Sequence, residues 1–241
     1  PPTQSNREIE LQFRLIDPKT RDPIEPDKIA VTHTEKLHMM IVDASLTDYL
    51  HVHPQYDEKS QSFHIRFTPK LPHPYRAWME FTPKGTQTPV QLQSDLPAAQ
   101  KVPATPIIAN GPLPVDASAR MHIDSLMPLT AGKSNTLEIS ILDQQGRPVT
   151  DLQPILGATA HLVGFSADGR HMIHCHPDEN APPGKLRFDV HAETAGPVRF
   201  FLQINRNGEE ITLPFGMQIH PSRTQLSAPP AQPHAAMGHA H

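Results

Sequence analysis

The chain has one cysteine, Cys175, in 241 residues, so no disulfide can close within it. No apolar run approaches the ~18–20 residues a membrane-spanning helix needs, so no membrane span is expected. Lysines and arginines are scattered singly. The formal charge of −4 and a pI near 6.5 offer no basic surface for a nucleic acid. No segment carries a sustained helical stripe. There is no initiator methionine; the opening "PPTQSNREIE" fits a processed, exported protein.

Two residue types are over-used, with 28 prolines and 16 histidines. Prolines at this density favour short strands and turns over long helices. Strand patterns follow along most of the chain. "EIELQFRLID" alternates Ile9, Leu11, Phe13 and Leu15 against polar residues, the period-2 signature of a half-buried strand, and "TLEISILD" repeats it. "DPKTRDP", "DQQGRP", "ADG" and "NRNGEE" are turns.

The two halves repeat one another. "KLHMMIVDASLTDYLHVHP" aligns without a gap on "TAHLVGFSADGRHMIHCHP", "PYRAWMEF" on "PVRFFLQI", and "TPVQLQ" on "LPFGMQ". The pattern predicts an all-β chain of two tandem β-sandwich domains, 1–93 and 119–220. "ARMHIDSL" reads as an extra leading strand of the second. Residues 94–118 form a Pro/Ala-rich linker, and 221–241 a low-complexity, disordered tail containing His and Met.

Within the repeat the histidines fall in register. His38, His51 and His53 align with His161, His174 and His176, so each half reads H-x12-H-x-H-P. "LHMMIV" and "DYLHVH" make a hairpin, and a four-residue loop placed midway sets His38 directly opposite His51. His53, two residues on, shares that face. Three imidazoles then converge at distances suited to metal–nitrogen bonds of ~2.0–2.1 Å, once in each domain. Such a set suits copper, zinc or nickel and leaves a position open.

Other residues have two readings. His33 could add a fourth nitrogen in the first copy only. Met40 shares the face of His38 and is either a thioether ligand for copper or core filler. Cys175 alternates with His174 and His176 and aligns with Val52. It is a small buried hydrophobe, or, if the strand bulged, a soft thiolate ligand. His171 points away from His174. In the tail, His234, Met237, His239 and His241 mix imidazole and thioether, a composition that loosely captures copper.

The two histidine hairpins, "LHMMIVDASLTDYLHVHP" and "LQPILGATAHLVGFSADGRHMIHCHP", are each followed by a P-Y/V-R-x-W/F strand. Over residues 8–93 and 119–220 they resemble a family of bacterial exported proteins. Its members are built from immunoglobulin-like or cupredoxin-like domains whose hairpin ends in F-x-H-x-H-P. The resemblance implies a periplasmic or secreted metal role, and the leading reading of the chain is a metal-binding protein that is not an enzyme. It would hold copper, as Cu(I) or Cu(II), or alternatively zinc, and could pass it to a partner protein of the cell envelope. The motif histidines carried over are His38, His51, His53, His161, His174 and His176. Two departures stand out. The motif aromatic is Tyr49 in the first copy but Met172 in the second, and Cys175 replaces an aliphatic residue. Neither half has the Cys, His and Met set of a blue-copper centre. Two further readings remain: a zinc-dependent hydrolase using an open three-histidine site, and a metal-free interaction module.

Overall fold

The computed structural model describes residues 5–97, 106, 110–112, 118–125 and 127–222. The expected tail, with His234, Met237, His239 and His241, lies outside them, as does most of the expected linker. Among the described residues there is no α-helix, and no helix is long and apolar enough to cross a membrane.

In the first half the strands are β1 (Ile9–Phe13), β2 (His38–Asp43), β3 (Tyr49–Val52), β4 (Gln55–Asp57), β5 (Ser62–Phe67), β6 (Tyr75–Phe81) and β7 (Val90–Asp95). A short β8 (Gly111–Pro112) follows. The second half has β9 (Ala119–Ile123), β10 (Ser134–Asp143), β11 (Ala160–Ser166), β12 (Met172–Cys175), β13 (Lys185–His191), β14 (Gly196–Arg206) and β15 (Glu209–Ile219). Each half is a sandwich of a three-stranded and a four-stranded antiparallel sheet. The orders are β1-β5-β4 over β3-β2-β6-β7, and β13-β10-β9 over β12-β11-β14-β15. The expected leading strand of the second half is β9, paired to β10.

Alternation decides which strands have one wet face. In β10 the inward Leu137, Ile139 and Ile141 are fully buried and alternate with more exposed residues. The strands β2 and β11 do not alternate. All six residues of β2 are buried, and six of the seven in β11. A strand buried on both faces reads as a continuous apolar run, and here the second face is covered by the other domain.

The two four-stranded sheets pack on each other. Met39 and Ile41 point into the first sandwich, whereas Met40 and Val42 join Leu46, Trp78, Val163, Phe165, Met172 and Phe201 in a core drawn from both halves. Tyr49 stacks on Phe201 across this boundary at 4.4 Å between ring centroids. At one end Arg76 donates to the carbonyl of Gly169. The other end is occupied by histidines. Glycine is required there at Gly157. Its φ is +83°, and a Cβ would lie 2.3 Å from the His33 carbonyl oxygen of the first domain.

Phe201 is 2% exposed and touches both domains. Phe201→Ala is expected to cost about 3–5 kcal/mol of unfolding free energy, read as a lowered urea midpoint. An unchanged midpoint would show that the two sheets do not depend on each other.

Candidate metal centre

Both hairpins place their histidines on the face that meets the other domain, and the register differs from the expected one. Met39 pairs with Val52 and Met40 with His51, so His38 stands opposite His53 rather than His51. In the second copy Leu162 pairs with Cys175 and Val163 with His174, which sets His161 opposite His176. The cause lies in the loop. The Asp43 carboxylate accepts the N–H groups of Ser45, Thr47 and Asp48, at 2.8 Å each, and Asp43 pairs with Asp48. The four-residue loop therefore starts one residue later than a midway placement. Opposed pairs shift by two residues, which leaves every side chain on its expected face.

The imidazoles are held from outside. A backbone carbonyl only accepts, so the 3.1 Å contact to Thr32 O makes His38 Nε2 a donor and leaves its Nδ1 with a lone pair. His161 repeats this, donating from Nε2 to Ile155 O at 3.0 Å. The central histidines are oriented across the domain boundary. His174 donates from Nδ1 to the Glu80 carboxylate at 2.9 Å, and His51 from Nδ1 to Gln203 Oε1 at 3.2 Å. Gln203 Oε1 also accepts from the Tyr49 hydroxyl at 2.9 Å. Outer hydrogen bonds of this kind fix the tautomer and orient the second nitrogen of a metal-ligating histidine.

The inner nitrogens point at one another. His53 Nε2 lies 3.1 Å from His38 Nδ1, and His161 Nδ1 lies 3.3 Å from His174 Nε2. Three nitrogens tetrahedrally arranged around an ion at ~2.0–2.1 Å would be about 3.3 Å apart. With their outer nitrogens donating, His161 and His174 would, as neutral rings, each turn a lone pair toward the other. Only a cation between them, a proton or a metal ion, reconciles that contact. His51 Nε2 and His176 Nε2 are buried without a hydrogen-bond partner. Among the described residues two sets have nitrogens mutually within 4.8 Å: His38 with His51 and His53, and His51 with His161 and His174.

Electrostatics keep most of this cluster neutral. Burial first, and the neighbouring His174 second, push His38 down to about 4, His161 to about 3 and His176 to about 2, and His53 falls to about 4 through burial, then His38, then His174. His51 lies well below its ordinary value for the same reasons. Burial alone would raise the Glu80 carboxyl, but its hydrogen bonds and the charge of His174 prevail and hold it below the usual range.

The remaining candidates separate clearly. His33, with a left-handed φ of 51°, stacks on His176 of the other domain at 3.6 Å and so joins the cluster. Met40 shares the histidine face but is packed in the apolar core between the domains. Cys175 is on the opposite face, against the core of its own sandwich, with its thiol pushed up to about 12 mainly by burial. It is not among the converging donors. His171 faces away, 3.8 Å from Glu193. Sequence reasoning missed Glu80 and Gln203, although they occupy matching places in the repeated strands. They stand beside His38 and His161 in the sheets, and that pairing was the available signal.

A duplicated β-sandwich with convergent histidine triads where its halves meet is thus the class of protein that fold and site define. The chain belongs to the family described as a domain of unknown function, DUF8832, whose model matches residues 2–97 and 115–221, one segment over each sandwich. No curated protein matches it in sequence. Among solved structures it is similar to "Escherichia coli alpha-2-macroglobulin activated by porcine elastase". The identity is 10% and the TM-score 0.26, over 90% of this chain and 19% of that one. It is also similar to "Anomalous substructure of Titin-A168169", at 9% identity and a TM-score of 0.22, over 91% of this chain and 93% of that one. At those scores neither likeness bears on function.

The depressed histidines predict an acid-sensitive fold. The unfolded chain binds protons near the ordinary value of 6.5, which folded His38 and His161 refuse until about 4 and about 3. Their contribution is therefore fully present above 6.5 and is lost as pH falls from there toward the folded values. The urea midpoint of metal-free protein should drop between about pH 7.5 and about pH 5, and less so in His161→Asn. An equal drop in both would disconnect the cluster from the acid response.

Proposed function

We propose that this chain is a metal-binding protein of the bacterial cell envelope that holds copper, as Cu(I) or Cu(II), for sequestration or for transfer to a partner protein. The observation carrying this reading is the convergence of inner imidazole nitrogens whose outer nitrogens are already committed to hydrogen bonds. Surface histidines without a ligand would not need orienting partners on both domains.

Several features favour copper. The converging donors are imidazole nitrogens, which suit copper, zinc or nickel, and the affinity order of divalent ions places Cu(II) highest. The resemblance of the hairpins to exported metal-handling proteins supports the same choice and the envelope location. Zinc is the second reading, since the same donors accept tetrahedral geometry. Burial of His38, His51 and His161 supports retention of an ion over catalysis, which needs a position open to substrate.

The test is competition between tag-free full-length protein and a chelator for Cu(I), Cu(II) and Zn(II) in turn. Copper should be retained against a chelator that strips it from a flexible histidine-rich peptide, and more firmly than zinc. An affinity no better than that peptide's would reject the reading.

A further inference from the structure

Resting on the metal-binding reading, we propose that the two hairpins do not hold one ion each but share a single ion across the domain boundary. His51 is the ligand common to two overlapping sets. One set lies within the first domain, His38–His51–His53, and the other crosses the interface, His51–His161–His174.

Three observations carry this. The first is that His51 has one nitrogen to give. Its Nδ1 is bonded to Gln203 Oε1, and its Nε2 is buried and unpartnered. One lone pair serves one ion at a time, so the two sets cannot both be complete with separate ions. The second is that His176, which the repeat would make the third ligand of the second domain, falls in neither set: it stacks on His33 at 3.6 Å and meets His161 and His174 edge-on, at 4.6 Å between ring centroids. The converging set around His161 and His174 is completed by His51 from the other half. The third is the cross-domain clamp. Glu80 of the first domain orients His174 of the second, and Gln203 of the second orients His51 of the first.

The clamp is chemically unequal, and that sets a direction. A carboxylate behind an imidazole makes it the more basic ligand, more so than an amide carbonyl does. His174 is therefore the stronger donor, and the ion rests in the set that crosses the interface. The set within the first domain offers an alternative position with His51 retained throughout. Glu80 acts as a positioning residue through His174. Occupancy of the resting position requires ligands from both domains, so binding also fastens the two sandwiches together.

The experiment is metal analysis of full-length, tag-free protein loaded with Cu(II), then separately with Zn(II), and exchanged against a chelator to remove weakly held ions. Wild-type protein should retain one ion per chain. His51→Ala should retain none, and His51→Asn the same should the smaller side chain compromise folding as judged by circular dichroism. His161→Asn should keep one ion more weakly through the first-domain set, and adding His53→Ala to it should remove that ion. Glu80→Gln should preserve the count, weaken affinity about 10–100-fold and shift the Cu(II) spectrum. Two ions in wild type, with His51→Ala losing one and His161→Asn losing the other, would overturn the shared site while leaving metal binding intact. No retained ion in wild type would overturn both.

Discussion

A neutral imidazole taken out of water carries one N–H and one lone pair, and both need partners. That constraint governs the end of this molecule where the two domains meet. The N–H groups of His38 and His161 are satisfied by Thr32 O and Ile155 O, and those of His51 and His174 by residues of the opposite domain. The lone pairs have no such external partners and are turned inward. Everything else at this end serves the arrangement: the turns that present the carbonyls, the glycine that lets them approach, and the apolar core that sets the spacing of the sheets.

Much of this was legible in the sequence. Alternation in "EIELQFRLID" and "TLEISILD" revealed the outer strands, and the ungapped repeat revealed the duplication. The face shared by His38, His51 and His53 followed from strand parity alone, which explains why it survived a wrong register. Parity is insensitive to a shift of two. The opposed pair is not, and it was set by hydrogen bonds from Asp43 to the loop that no spacing argument contains.

The docking of the domains was written more faintly. "HMMIVD" and "AHLVGFS" break the alternation of their neighbours, and a strand with no polar face needs cover on both sides. Each run looked like an ordinary core strand when its domain was considered alone. Glu80 and Gln203 were hidden for a related reason. Each sits within a largely apolar strand of its own domain, but its work is done on a histidine of the other. Cys175 drew attention by its rarity, whereas its place in the alternation, on the face of Ile173, fixed it as a packing residue.

A pair of domains meeting about an approximate two-fold axis would bring each residue near its own counterpart, and the copies differ where that matters. Thr34 packs against Gly157, where a second side chain would not fit. Glu80 corresponds to Gln203, so one carboxylate, not two, is buried beside the imidazoles. Two carboxylates there would repel one another in a poorly solvated space. A single one, hydrogen-bonded to His174 and held below the usual carboxylate range, calls for one positive charge at this end, a proton or a metal ion. The asymmetry between the two copies is thus itself an argument about charge. The duplicated strand has a hydrogen-bond acceptor at both positions and a charge at only one, the balance suited to one positive centre held between two domains.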